Sequence, residues 1–402
     1  MHKLKVLMVS NLYYPYEIGG AEMSTRRLVN GLFSKGIDIT VLSTTSKEKG
    51  EERDLVDGIP VIRFFPDNEY WVYEKPQEKW KKAIWHFKEL YNSAVGRQIR
   101  IYLEELRPDI VHTQNIDSFS PIVWKVAHEL GFKVIHTTRD GHLLCPKANF
   151  VHQNPQDKYC KSMLCDAYRF WKVSFTKYID VFCSPSEFLL NEHKNQGLKA
   201  KNSVVIADGF DVEKFCELRD SVRERANILY MGHLSEAKGI TDLHRAIQKI
   251  TDMSWVLHIA GKGPLENQIR EWTKDPRFVY HGHVSGEAKL DLLKKCSILV
   301  MPSRCFENLP GTVIEGLLSG LIVVAPQRGG TTEIMSRFSY GITYDPEHPD
   351  GLCLSIHQAL NSEDSDFNPR EKELDGGIRD WYSETRMLNS YKNVYISQMR
   401  II

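Results

Sequence analysis

The 402-residue chain lacks any long hydrophobic run. Its longest apolar stretches, such as Ser297-Ile298-Leu299-Val300-Met301 and Leu321-Ile322-Val323-Val324-Ala325, fall far short of the ~20 residues a spanning helix needs. It also lacks an excess of either charge. Lys and Arg number 52, and Asp and Glu number 52, so no whole-molecule field draws it onto a polyanion, and nucleic acid is not an expected partner. No signal-peptide core or cleavage site follows Met1-His2-Lys3-Leu4-Lys5, which predicts a cytoplasmic address. There is no Walker A sequence and no Gly-x-Gly-x-x-Gly after the first strand; Gly261-Lys262-Gly263 is only a fragment of one. Dehydrogenase and P-loop NTPase readings therefore lack their phosphate loops. Cys-x2-Cys knuckles are missing too. Cys145, Cys160 and Cys165, with His142 and His152 nearby, invite a zinc reading, but their irregular spacing favours a loop of reduced thiols. No metal ligands and no disulfide framework are expected.

What is present is ordinary globular composition, 42% hydrophobic and 26% charged, enough for two or three domains at ~150 residues each. Short β-branched runs alternate with helical patterns. The first series is 5–10, 37–43, 61–65, 110–113, 133–137, 181–184 and 203–207; a second begins at Asn227 with 227–231, 255–260, 278–281, 298–302, 321–325 and 341–344. Both series open with a buried strand, a glycine-containing loop and an amphipathic helix, which predicts two Rossmann-like parallel-sheet domains. The expected domains are 1–212 and 227–377, with a helix at 378–402.

The segment Pro302–Gly320 carries the most chemistry. It links two strands, and Pro310 stands where a helix-start proline does. The amides of Gly311, Thr312 and Val313 would point out of the helix N-terminus and, with its dipole, seat an anion. Glu307 falls just before this helix and Glu315 one turn inside it. Carboxylates beside a phosphate need neutral hydrogen-bond donors, and sugar hydroxyls supply them, so the physical reading is a nucleotide-sugar diphosphate. The plain alternative is a capping Glu307 and a solvated Glu315.

Glu307-x7-Glu315, followed by Ser319-Gly320 and Gly329-Gly330-x2-Glu333, resembles the donor-site signature of retaining glycosyltransferase family 4, the group 1 glycosyl transferases. The resemblance runs along most of the chain: Gly232-His233 and Lys238-Gly239 for the diphosphate segment, Gly261 and His283-Val284 for the nucleoside loops, Asp208-Gly209 for the turn ending the N-terminal domain, and Gly19-Gly20 for the glycine loop. It implies the α/β GT-B fold, two Rossmann-like domains facing a central cleft. The N-terminal domain would take the acceptor and the C-terminal domain the donor, with the last helix crossing back. The implied donor contacts are Gly20, Gly232, His233, Lys238, Gly261, His283, Val284, Glu307, Asn308, Leu309, Pro310, Gly311, Thr312 and Glu315. The implied activity moves a sugar from a UDP- or GDP-sugar to a glycan, lipid-linked or small-molecule acceptor, in cell-surface polysaccharide or glycoconjugate synthesis, with no cofactor and no divalent metal.

Two positions depart from the family pattern. His233 replaces a usual arginine, leaving Lys238 and the helix amides to neutralise the diphosphate. Arg139, in Thr137-Thr138-Arg139-Asp140, replaces a histidine near the transferred sugar; arginine cannot act as a base at pH 7 but can hold an anionic group. Glu307, Lys238, Arg139 and Asp140 are thus the catalytic candidates, with His142 or His112 as a nearby imidazole unless these are structural. A 2-epimerase or hydrolase on the same fold, or a non-catalytic nucleotide-sugar binder, are the alternatives. Finally, Trp80, Ile84, Phe87, Tyr91, Val95, Ile99, Tyr102 and Leu106 form a helical stripe within residues 75–107, which hold eight Lys/Arg against four Asp/Glu, and Trp85 falls off it. The functional reading is peripheral docking on the inner membrane face or on a lipid-linked acceptor. The alternative is helices packed on the first sheet.

Overall fold

The structure, a computed structural model, describes residues 3–17, 19–74, 78–148, 150, 159–160, 162–338, 341–362 and 377–399. The described residues form two compact units. The first holds those up to 148, those of 159–209 and those from 384 on; the second holds Phe150 and those of 210–383.

In chain order the first unit runs β1 (Lys5–Val9), α1 (Gly20–Ser34), β2 (Asp38–Thr44), β3 (Glu52–Val56), β4 (Ile59–Phe64), α2 (Lys79–Leu90), α3 (Ser93–Leu106), β5 (Ile110–Thr113), α4 (Ile122–Glu129), β6 (Lys133–Thr137), α5 (Met163–Ser174), β7 (Val181–Ser184), α6 (Glu187–Asn195) and β8 (Asn202–Val205). The second begins with α7 (Val212–Cys216), β9 (Glu224–Met231), α8 (Ile240–Ile247), β10 (Val256–Ala260), α9 (Glu266–Trp272), β11 (Phe278–Tyr280) and α10 (Gly286–Lys295). It continues with β12 (Cys296–Val300), α11 (Gly311–Leu318), β13 (Ile322–Pro326), α12 (Gly330–Met335), β14 (Gly341–Tyr344), α13 (Gly351–Asn361) and α14 (Ile378–Trp381), before α15 (Glu384–Met399) returns to the first unit.

The sheets are ordered β3-β4-β2-β1-β5-β6-β7-β8 and β11-β10-β9-β12-β13-β14. All neighbours are parallel except β3 against β4. Strands such as β5, β6 and β7 are buried along almost their whole length, polar residues included, because helices cover both faces of a parallel sheet. In each unit the winding reverses beside its first strand, between β1 and β5 and between β9 and β12. These are topological switch points, where the loops leaving the strand ends diverge and open a crevice.

One strand lay outside the expected set. β3, Glu52-Arg53-Asp54-Leu55-Val56, is an exposed edge strand that pairs antiparallel with β4 through a tight turn. Asp57 and Gly58 both take positive φ there, as the hairpin turn requires. The final helix also differs from expectation, breaking at Tyr382-Ser383 into α14 and α15. Tyr391 and Tyr395 of α15 are fully buried in the core formed with β1, β2 and α1.

The predicted stripe splits in two. Asn92 caps α3, its side chain accepting from the Ala94 and Val95 amides, and this break rotates one helix against the other. Val95, Ile99 and Tyr102 pack into the first core. Trp80, Ile84, Phe87 and Tyr91 are exposed, Phe87 at 76%, while Trp85 off the stripe is buried. Among the described residues no helix is long and apolar enough to cross a membrane.

Candidate functional site

The β9/β12 switch point is built from two loops, 232–239 and 301–310. Gly239 takes φ +70°, and a Cβ there would stand 1.8 Å from the Pro302 carbonyl oxygen. Only glycine lets the Lys238 turn press onto the loop after β12. From the other side a Cβ on Gly330 would stand 1.7 Å from Asn308 O, and its amide donates to Glu307 O at 2.7 Å. The loop is thereby held between two close backbone approaches.

The result is a fixed charge pair. Lys238 Nζ donates to Glu307 Oε1 at 2.7 Å, and Ser303 Oγ donates to the same oxygen at 2.6 Å. Burial opposes the Lys238 charge, but the Glu307 carboxylate outweighs it and holds the ammonium above its ordinary range. His233 is shifted the other way, its pKa lowered by partial desolvation of the ring and by the Lys238 charge. Next in the chain, α11 starts at Gly311 behind Pro310 with no side-chain cap. Its first amides, Gly311 and Thr312, have no intrahelical acceptor by the geometry of a helix start, and the dipole adds partial positive charge there. Glu315, inside α11, is buried and takes a second lysine: Lys289 Nζ on α10 donates to Glu315 Oε1 at 2.7 Å.

Loops on the β10 and β11 side are joined to this one in sequence. Gly232 N donates to Ala260 O at 3.0 Å, Leu234 N to Lys262 O at 2.9 Å, and Gly261 N to Gly282 O at 2.7 Å. His283 is exposed and Val284 half-buried just beyond. The loops that carry Gly232, His233, Gly261, His283 and Val284 therefore leave one side of the switch point, and those of Glu307, Asn308, Leu309, Pro310, Gly311, Thr312 and Glu315 leave the other. Such an arrangement can seat a small anion on amides and one ammonium while carboxylates accept hydroxyls.

The remaining candidates lie in the first unit. Gly20 opens α1, which is capped by Glu22 reaching back to the Gly19 amide at 2.9 Å. Arg139 follows β6 and is buried. Its Nε donates to Gln114 Oε1 at 2.9 Å and its Nη1 pairs with Asp208 Oδ1 at 2.5 Å. Burial works against that guanidinium, and the Asp208 charge more than restores it. Asp208 in turn accepts from Ser24 Oγ of α1 at 3.0 Å. Asp140 Oδ1 accepts from both His142 N, at 3.0 Å, and His142 Nδ1, at 2.9 Å.

Residues 18–214 match the profile of Glycosyltransferase Family 4, and residues 225–362 match that of Glycosyl transferases group 1. The chain belongs to this glycosyltransferase family. Among its relatives, an uncharacterized 42.6 kDa protein in the cps region of Klebsiella pneumoniae is 27% identical over 396 residues, covering 98% of this chain and 100% of its own. Sucrose-phosphate synthase from Thermosynechococcus elongatus matches at a TM-score of 0.75 and 16% identity, over 100% of both chains. The Anabaena protein HepE, solved with UDP-glucose, matches at a TM-score of 0.67 and 14% identity, over 98% of this chain and 100% of its own. The fold is the GT-B fold of these glycosyltransferases.

Several groups of this family 4 glycosyltransferase went unread in the sequence. Lys289 carries no local signal; it becomes visible only by asking which helix must neutralise a carboxylate one turn inside α11. Asp117 lies 3.3 Å from His142 Nε2, so that imidazole stands between two carboxylates. Burial opposes its charge, and Asp117 with Asp140 overcomes this and raises its pKa; burial pushes Asp117 itself up to about 6. Beneath it, Lys172 donates to Glu89, and the Tyr168 hydroxyl is 2.8 Å from Glu89 Oε1 and 2.9 Å from His142 O. His112 is a packing residue, with Tyr395 OH 2.7 Å from Nδ1 and Thr137 Oγ1 2.8 Å from Nε2. Burial holds it neutral, with its pKa down to about 3. Of the thiol-loop residues, Cys145, Cys160 and Cys165 are in no disulfide, and His152 lies outside the described residues. No group of three or more His, Cys, Asp or Glu among the described residues is placed to hold a metal ion.

Proposed function

We propose that the chain is a retaining glycosyltransferase that takes a sugar from a UDP- or GDP-sugar and passes it to a glycan or lipid-linked acceptor in cell-surface polysaccharide or glycoconjugate synthesis. The observation that carries this reading is the Glu307–Lys238 pair beside the uncapped start of α11 at the β9/β12 switch point. HepE, solved with UDP-glucose, supports a uridine donor, and the relative from a cps region supports polysaccharide synthesis.

In this reading the loops at His283 and Val284 hold the base and Glu315 accepts the ribose hydroxyls. Lys238 with the Gly311 and Thr312 amides holds the diphosphate, and Glu307 accepts hydroxyls of the transferred sugar. The bond from C1 to the phosphate oxygen breaks, the acceptor oxygen bonds C1 on the same face, and the acceptor proton goes to the departing phosphate. Charge grows on that phosphate, where Lys238 and fixed amide dipoles already stand. This supply of positive charge serves the role that a divalent cation would, so the reaction runs without one. Arg139 is a positioning residue that holds Asp208, and Asp140 fixes His142.

The exposed stripe of α2 supports a reading of where the acceptor is met. Lys79, Lys81, Lys82 and Lys88 share that helix with it, and α5 adds exposed Met163, Leu164, Phe170 and Trp171. Trp171 Nε1 donates to Leu90 O at 3.1 Å, which joins the two faces. Aromatic side chains rimmed by lysines fit an anionic bilayer surface, so we read this face as peripheral docking on the inner membrane, where a lipid-linked acceptor lies.

Thermal shift and turnover with UDP- and GDP-sugars test the proposal. One donor should stabilise the protein, and Glu307→Ala and Lys238→Ala should each lower transfer by about 10²–10³-fold. Wild-type binding and transfer in both variants would defeat the assignment. Donor consumed without acceptor means an epimerase or hydrolase, and binding without turnover means a nucleotide-sugar-binding protein.

A further inference from the structure

The second unit contains a cavity of about 630 Å³ that shares the start of the 301–310 loop with the proposed donor site but is lined by neither Lys238 nor Glu307. Its wall includes Ser303 and Arg304 after β12, Arg328 after β13, Tyr344 at the end of β14, and Asp242 and Lys249 on the α8 side. Most of its cations are already matched. Arg304 makes two 2.6 Å contacts with Asp242, Arg245 lies 3.7 Å from the same carboxylate, and Lys249 takes Asp350 at 2.6 Å.

Arg328 is the exception. It is only 7% exposed, and among the described residues its side chain makes one hydrogen bond, from Nη1 to the Arg304 carbonyl at 3.0 Å. Its guanidinium carbon sits 5.0 Å over the Phe306 ring. Among the described residues it forms no ion pair. A guanidinium cannot shed its proton, so a buried one without a counter-charge is costly unless a ligand supplies that charge.

We infer that this cavity is a second anion site, taking the phosphate group of a sugar-sized molecule. The planar fork of Arg328 matches two phosphate oxygens, and Tyr344 adds a neutral hydroxyl to the same wall. The volume lies within the range of small-molecule sites, about 300–1,000 Å³. Its wall meets the proposed donor machinery through the loop after β12: Ser303 bonds Glu307 Oε1, and the Arg304 amide donates to Ala237 O at 3.0 Å. The phosphate is carried either by the acceptor or by a free effector. The inference goes beyond the donor reading and survives its failure.

Thermal unfolding of the full chain with inorganic phosphate, with UDP and with both is the test. In the wild type each should stabilise and the two shifts should add. Arg328→Gln should need at least ten-fold more phosphate while keeping its UDP response. Arg328→Lys, which keeps charge and stem but not the fork, should need several-fold more and serves if Arg328→Gln does not fold. Absence of a phosphate shift, an unchanged phosphate response in these variants, or competition between phosphate and UDP would overturn the site. Failure of UDP alone would count against the donor reading only. Phosphate that competes with acceptor and leaves slow donor hydrolysis unchanged marks an acceptor group; phosphate that changes hydrolysis marks an effector.

Discussion

Single side chains in this protein owe their state to one or two neighbours, and the first unit shows it best. Glu89 and Lys172 are both almost wholly buried and paired. Burial opposes the Glu89 charge, yet Lys172 and His86 hold the carboxyl down at about 2. Glu89→Ala would strand the ammonium, and its expected cost is about 3–5 kcal/mol, read as the change in denaturation midpoint. A loss below 1 kcal/mol would mean that the pair does not hold this region. His142 gives a pH signature. Its pKa is raised in the folded state, so its contribution is complete below about 6.5, the ordinary histidine value, and fades as pH climbs through the raised value. Asp140 is held below the usual carboxylate range and is the constant partner, whereas Asp117 titrates near 6. His142→Asn should therefore cost most below about pH 6.5 and progressively less above it, and an Asp117→Asn background should move that fall to lower pH. A pH-independent difference would show that the imidazole acts by packing alone. Asp140 and His142 stood out in the sequence as candidates, but their partners did not, because Glu89, Asp117 and Lys172 come from separate elements and share no spacing with them. The placement of Glu307 just before α11 and of Glu315 inside it was legible, because the proline marks where that helix starts.

At the scale of elements, periodicity identified helices well and their environment poorly. The stripe from Trp80 to Leu106 is real, but a 3.6-residue period says which residues share a face and not what covers it. The break at Tyr91-Asn92 turns the second half inward and leaves the first half exposed. β3 failed for the opposite reason: Glu52, Arg53 and Asp54 hide a strand at the sheet edge, where exposed charged residues also block further pairing. The exposed α2 face makes a prediction of its own. The protein should sediment with vesicles containing anionic phosphatidylglycerol and much less with neutral phosphatidylcholine, and salt should weaken the binding. Phe87→Ser, or Lys79, Lys81 and Lys82 changed together to Glu, should reduce the bound fraction by about ten-fold, equivalent to roughly 1.4 kcal/mol, without changing the melting temperature. Unchanged binding in both variants, or no preference for anionic vesicles, would remove the membrane from the account and leave the face to a protein partner.

At the scale of the whole molecule, zero net charge leaves every electrostatic function local: lysines on α2, Lys238 beside α11, and Arg328 in its cavity. The doubly wound plan was readable because both series of strands repeat the same opening. The return of the chain to the first unit is where long-range structure enters, since α15 completes that unit's core with residues nearly 400 positions from β1. Tyr391 is fully buried there, its hydroxyl 3.0 Å from Thr137 Oγ1 and its ring centroid 5.4 Å from that of His112. Tyr391→Ala should cost the first unit about 3–5 kcal/mol, or roughly 6–20 °C at 2–4 °C per kcal/mol for a domain of this size. Calorimetry with and without UDP assigns that loss. UDP should shift the transition of the second unit, which holds the proposed donor loops, so the mutation should lower the transition that UDP leaves alone. If the UDP-sensitive transition fell instead, α15 would be supporting the donor unit. If the two fell together by the same amount, the molecule would unfold as one cooperative body, and the C-terminal helix would set the stability of the entire chain.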